Sequence, residues 1–182
     1  MKKLIILILI MFPVLTMAQG HKGEVEECAP MKDGKVCYRD TVHVKDMNQI
    51  QIFDVIEKWA KKNYGKDVFL SNVNSKKSKG IINVSSKVEL LLNDTDKTII
   101  KYKMKISCYD NSYSAEVGNI VYQYDPENNK KFKTYSAESV IANNGKSNTV
   151  ALIKDPKLFC NATFFFVENL FADILDAVNE AE

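Results

Sequence analysis

Apolar and polar residues alternate from Lys35 to Val44. Val36, Tyr38, Val42 and Val44 share one parity, and Cys37, Arg39, Thr41 and His43 share the other. Successive side chains of a strand point to opposite faces, so this segment predicts a half-buried strand. The period then changes. After Asp46-Met47-Asn48, the residues Ile52, Phe53, Ile56, Trp59 and Ala60 recur at helical spacing, with Asp54, Glu57, Lys58, Lys61 and Lys62 on the wet side. Asn48 with Gln51 fits a capping box, in which each side chain satisfies an orphan backbone donor. Gly65, in the left-handed position that follows many last turns, predicts the end of this helix.

Further along, Asp67 to Leu70 reads as a short strand and polar Ser71 to Lys79 as a loop. Gly80 to Leu92 carries Ile82, Val84, Val88, Leu90 and Leu92 in phase, and Asn93 to Asp96 is a turn cluster. The clearest alternation follows: Ile100, Tyr102, Met104, Ile106 and Cys108 against Lys101, Lys103, Lys105 and Ser107. Asp110-Asn111 turns again. Tyr113 to Tyr124 is strand-like, with a change of parity near Gly118 that predicts a bulge. Beyond Asp125-Pro126 the pattern degrades into a charged stretch (Glu127 to Lys133), a short helical turn (Ala137 to Ala142) and a polar loop (Asn143 to Asn148). Asp155-Pro156 fits a helix start, a capping acid before a proline at the first helical position. There Phe164, Val167, Phe171, Ile174 and Val178 form the apolar stripe, with Glu168, Asn169, Asp173 and Asp176 facing away. The predicted order is strand, helix, three or four antiparallel strands, an irregular stretch and a final helix. Each element has one apolar face, so the expected architecture is α+β, an antiparallel sheet with both helices on one face. The other face is left to solvent or to a partner.

The formal net charge of the chain is +2. Both excess positives are Lys2 and Lys3, which precede an apolar run from Leu4 to Leu15 and the small-residue cleavage pattern Thr16-Met17-Ala18. That is the layout of a signal peptide over residues 1–18. The run is interrupted by Pro13 and falls well short of the roughly 20 residues needed to span a bilayer. No cysteine stands where a lipid anchor would need one. The expectation is an exported protein, periplasmic or secreted, not a lipoprotein and without a membrane span after cleavage. A loose segment at 19–34 and a single domain at 35–182, irregular at 126–157, complete the expected organisation. Removing the two lysines leaves a near-neutral chain, which argues against nucleic acid, since phosphate binding needs an excess of basic residues.

Cys28, Cys37, Cys108 and Cys160 all fall in the exported part, where disulfides persist. Three pairings are possible. Strand alternation puts Cys108 on the buried side, where the last helix should lie, and Cys37 on the opposite side, which favours Cys28–Cys37 with Cys108–Cys160. The cysteine spacing does not fit zinc. No metal site or cofactor is expected.

Gly34-Lys35-Val36, Thr41-Val42-His43-Val44, the helix closing on Lys58-Trp59-Ala60-Lys61-Lys62-Asn63, and the later Lys79-Gly80-Ile81-Ile82 and Asp110 to Tyr124 together resemble one family. It is a domain of unknown function with a TBP-like fold, found in exported proteins of Bacteroides-type bacteria. The resemblance covers residues 35–125. It implies the order strand, helix, four strands, helix on a curved antiparallel sheet, and brings no catalytic residues.

No catalytic constellation emerges. Of the two histidines, His21 lies in the loose segment, and His43 faces away from Asp40 on the same strand. No phosphate-cradling or nucleophile-elbow motif is present. A non-catalytic binding or interaction module is therefore expected. Arg39, Lys87, Lys101, Lys103 and Lys105 share the open face of the predicted sheet, as a contact patch for an envelope protein or an anionic glycan. A second expectation is a carrier of a small apolar ligand, lined by Tyr122, Tyr124, Phe164 and Phe166 between the sheet and the last helix. Phe132, Tyr135, Phe159 and Phe165 add to that aromatic set. Homo-oligomerisation through the sheet edge or the Phe-rich segment is a third.

Overall fold

The computed structural model describes residues 27–67, 69–127 and 131–181. The predicted signal peptide, His21 and the rest of residues 19–26 lie outside them. Strands β1 (Met31–Lys32), β2 (Lys35–His43), β3 (Ser71–Lys76), β4 (Ile81–Leu91), β5 (Lys97–Tyr109), β6 (Ser112–Tyr124) and β7 (Lys133–Ser136) form one sheet. Its order is β1-β2-β6-β5-β4-β3, with β7 also paired to β6, and every pairing is antiparallel. Helices α1 (Gln49–Tyr64) and α3 (Pro156–Asn179) flank it, with a single turn α2 (Ala137–Val140) between β7 and α3.

Alternation decides which face is covered. On β5, Thr98, Ile100, Tyr102, Met104, Ile106 and Cys108 are buried, while Lys101, Lys103 and Lys105 are exposed. Tyr102 shows that both helices lie on the same side. Its hydroxyl donates to Tyr64 of α1 at 3.2 Å, and its ring meets Phe166 of α3 edge-on at 5.3 Å. The expected two-layer α+β arrangement is the one observed. By length and composition α3 is apolar enough to cross a membrane, and here it spends Val167, Phe171, Ile174 and Val178 on the core.

The predicted caps form. Asn48 Oδ1 accepts from the backbone N–H groups of Ile50 and Gln51, and Gln51 Oε1 accepts from Asn48. Asp155 Oδ1 accepts from Leu158 ahead of Pro156. The start of α1 is also tied to the sheet, because Gln49 Nε2 donates to the Cys108 carbonyl at 2.8 Å. Gly80 makes that contact possible. Its φ is 62°, and a Cβ there would stand 2.6 Å from both the Cys108 oxygen and Gln49 Nε2.

Several expectations are corrected. Gly65 is right-handed (φ −87°); a Cβ there would come within 2.5 Å of the Lys61 carbonyl oxygen, so crowding and not handedness favours glycine. Asp67 to Leu70 is no strand: the Asp67 carbonyl accepts from Leu70 and Ser71, a local turn that precludes pairing. The strand comes next, as β3, in the stretch read as a loop. Its inward positions are Ser71, Val73 and Ser75, and the two serines are satisfied by polar groups of α1, the Tyr64 carbonyl and the Glu57 carboxylate. A hydrophobic period cannot reveal such a strand. β7 is likewise absent from the predicted elements: it falls between the charged stretch and the helical turn, with Tyr135 as its inward residue opposite Tyr122.

The segment 19–34 is not loose where it is described. Asp33 and Gly34 both have positive φ, the geometry of a two-residue hairpin joining β1 to β2. Cys28 and Ala29 are buried, and both donate backbone N–H groups to Asn144 Oδ1, at 3.1 and 3.2 Å. The favoured cysteine pairing is corrected too. Cys28 bonds Cys160, with the Cα atoms 5.4 Å apart, and Cys37 and Cys108 are free. Cys37 and Cys108 do lie on opposite faces of the sheet, as alternation predicts. The N-terminal segment, however, runs onto the helix side, where the Tyr38 hydroxyl donates to the Cys28 carbonyl at 2.7 Å and the first turns of α3 lie alongside.

Candidate functional site

The uncovered sheet face carries the charge. Its register sets Lys87 of β4 directly opposite Lys101 of β5, Ser85 opposite Lys103, and Asn83 opposite Lys105. On the other side of β5, Lys101 faces Val121, Lys103 faces Gly118, and Lys105 faces Glu116. Residues two apart on β5 are roughly 6.5–7 Å apart along the strand, so the lysines form a row. Like charges directly opposite on a sheet destabilise it. The Lys87–Lys101 juxtaposition is therefore a cost that the fold does not require.

Glu116 is the acid best placed to relieve the row, and it is committed elsewhere. It pairs with Arg39, its neighbour on β2, and with Lys32 Nζ at 3.3 Å. Lys97 pairs with Glu89 at 2.8 Å. Among the described residues Lys87, Lys101, Lys103 and Lys105 take part in no ion pair. The predicted patch thus divides: four lysines stay together and uncompensated, and Arg39 is neutralised at the β2 edge.

The hydrogen bond from Arg39 holds the Glu116 carboxyl below its ordinary value of 4.5, against a smaller opposing effect of burial and with added help from Lys32. A carboxyl whose folded value is depressed stabilises the fold above that ordinary value, and the contribution is lost as pH falls through the depressed one. An NMR titration should place the Glu116 midpoint below 4.5 and move it upward in Arg39→Ala. An unchanged midpoint in that variant would show that the pair does not form in solution.

A bulge shapes this face. Lys101 aligns with Val121 but Lys103 with Gly118, so Asn119 and Ile120 together oppose Tyr102. Asn119 takes the left-handed conformation (φ 51°), while Gly118 keeps ordinary backbone. The extra residue restores the inward parity of Ile120, Tyr122 and Tyr124 and bends β6. Two adjoining hollows of about 450 and 230 Å³ open there and share Ser85, Lys103 and Asn119. The larger also reaches Lys87, Lys101 and Asn72, with Phe69 at its rim, 93% exposed. Asn72, Ser85, Asn119 and Phe69 were not singled out from the sequence. The one available signal was the break in parity at Gly118, which marks a bend without saying what lines it.

The other candidates are dispersed. Tyr122 and Tyr124 both meet Phe159 edge-on, at 5.2 and 5.1 Å, whereas Phe166 lies on Tyr102 and Phe164 on Phe165. These rings fill space against each other. Phe132 is exposed and Tyr135 half-buried. His43 is exposed at the end of β2, and the Asp40 carboxylate accepts from the backbone N–H of Thr41 at 2.7 Å. Burial pushes the Cys108 thiol up to about 12 and, with the Glu116 carboxylate, raises that of Cys37, so neither is an activated nucleophile. Among the described residues no three His, Cys, Asp or Glu side chains are grouped to hold a metal ion.

A curved, open antiparallel sheet with helices on one face and a bare, lysine-lined hollow on the other defines a small α+β module of the TBP-like fold. The family described as a domain of unknown function (DUF4468) with TBP-like fold matches residues 38–123. A TBP-like protein from Parabacteroides distasonis, known from its crystal structure, is 73% identical; the match covers 86% of this chain and all of that one, with a TM-score of 0.84. The chain belongs to the DUF4468 family. A DUF4468 family protein from Bacteroides ovatus shares the fold at 22% identity, with a TM-score of 0.72 over 85% of this chain and 92% of that one. No curated protein matches the chain.

Proposed function

We propose that this protein is a non-catalytic, exported binding module of the cell envelope, and that its open sheet face takes a negatively charged partner. The observation that carries this is the uncompensated lysine row, with Lys87 set against Lys101, and with Lys105 opposite a Glu116 that pairs instead with Arg39 and Lys32. Such an arrangement lowers stability slightly and leaves four positive charges free to meet a ligand. The hollow at the bulge gives the ligand a seat. Export is supported by the predicted signal peptide and by the Cys28–Cys160 disulfide, a bond that persists outside the reducing cytosol.

Calorimetric titration with anionic chains at low ionic strength tests this reading. The purified protein should bind them, with affinity falling steeply as salt is added. The double variant Lys101→Glu/Lys103→Glu should lose binding by at least about tenfold, the equivalent of about 1.4 kcal/mol. Its Tm should hold or rise slightly, since Glu at 101 faces Lys87. Absence of binding by the parent protein, or full binding by the charge-reversed one, would overturn the proposal.

A further inference from the structure

We infer that the anionic partner is an acidic polysaccharide, a chain of sugar rings bearing negatively charged groups, seated along the hollow of the open face. This inference rests on the reading of that face as a binding surface. Three features of the hollow carry it beyond charge alone.

The first is what the floor lacks. It is made by β4, β5 and β6, interior strands paired on both sides apart from the bulge at Asn119 and Ile120, and only its margin reaches the edge strand β3, through Ser71 and Asn72. A ligand lying across this floor meets no row of free backbone groups; strand addition needs a sheet edge, which β3 offers beside the hollow and not across it. Recognition must come from side chains.

The second is which side chains are present. Asn72, Asn83, Ser85 and Asn119 line the two hollows, and among the described residues none of their side chains makes a hydrogen bond within the protein. These are neutral amides and a hydroxyl, donors and acceptors at once, which is the chemistry that matches sugar hydroxyls. The cations are all lysines, mobile point charges suited to spaced acidic groups. Arg39, the only arginine of the chain, is held by Glu116, so the planar fork that grips carboxylates and phosphates bidentately is not offered in the hollow.

The third is Phe69 at the rim, its ring almost wholly in water. It adds nothing to the core. An exposed aromatic face beside free amides is a platform on which the apolar face of a pyranose ring can lie.

The test compares oligogalacturonate with oligoglutamate of matched charge, and with a single-stranded oligonucleotide, by titration calorimetry at one ionic strength. Oligogalacturonate should bind at least about tenfold more tightly than either. Phe69→Ser and Asn119→Gly, the latter keeping the left-handed backbone, should each weaken oligogalacturonate about five- to tenfold and leave oligoglutamate within about twofold. Melting curves of both variants should match the parent, because Phe69 is exposed and Asn119 lies on the open face. Equal affinity for the three probes, preference for peptide or nucleic acid, or no effect of Phe69→Ser would overturn the inference. If the charge-reversed variant still loses all binding, those outcomes spare the open-face reading. Binding to none of the probes removes both.

Discussion

Replacing Cys28 and Cys160 together by serine should lower the melting temperature by about 10 °C or more. The bond closes a loop with a sequence separation of 132. By chain entropy alone a loop of that size stabilises by about 5 kcal/mol, and native disulfides of small exported domains typically contribute about 2–5 kcal/mol. Here the bond also pins an N-terminal segment that otherwise holds on through β1 and through Asn144. Reduction of the parent protein should give the same shift. Cys37→Ala with Cys108→Ala should give a much smaller one. A thiol reagent applied to the unfolded, unreduced protein should titrate the two free cysteines, Cys37 and Cys108. Titration of none would mean that the chain had formed two bonds, and the assignment of Cys37 and Cys108 as free thiols would be wrong.

Tyr122→Ala should cost about 3–5 kcal/mol, whereas Tyr122→Phe should cost only about 1 kcal/mol. Tyr122 is fully buried, meets Phe159 edge-on, and its hydroxyl bonds Thr163 Oγ1 at 2.7 Å. Thr163 in turn donates to the Phe159 carbonyl at 2.7 Å, so the tyrosine is the donor of the pair. Truncation to alanine opens a cavity where β6, β7 and α3 meet. The phenylalanine variant keeps the ring and removes one donor, leaving Thr163 still bonded to its own helix. Chemical denaturation of the two variants separates packing from hydrogen bonding. Equal losses would mean that the hydroxyl, and not the ring, holds α3 to the sheet.

How far the sequence reaches depends on where each element finds its partners. β4 and β5 were legible because all but one inward position of each, Ser86 and Thr98, is apolar, while the outward ones are mostly polar. α1 and α3 were legible because each pairs an apolar stripe with a capping side chain, Asn48 or Asp155. β3 was not, since Ser71 and Ser75 are satisfied by polar groups of α1. Neither was β7, whose four residues carry a single half-buried inward side chain, Tyr135, too few to show a period. The lysine row could be read from alternation, because parity alone assigns a face. The hollow could not. It depends on register between strands, on the extra residue at Asn119 and on a turn that leaves Phe69 in water, none of which a single strand's pattern encodes. Nor could parity tell that Arg39 would be drawn off by Glu116, which is a matter of neighbours across strands.

The sheet order has a consequence for when this molecule becomes itself. β2, made early, has as its main neighbour β6, with Lys35–His43 waiting on residues 112–124, and α1 is laid over strands that do not yet exist when it emerges. Contacts so distant along the chain form slowly and only once their partners are present. The hairpins β3–β4, β4–β5 and β5–β6 can pair as they are made, but β2 has no neighbour until β6 arrives, and the staple cannot close before the final helix. Until then the first part of the growing chain, β2 and α1 included, has no finished surface to settle on.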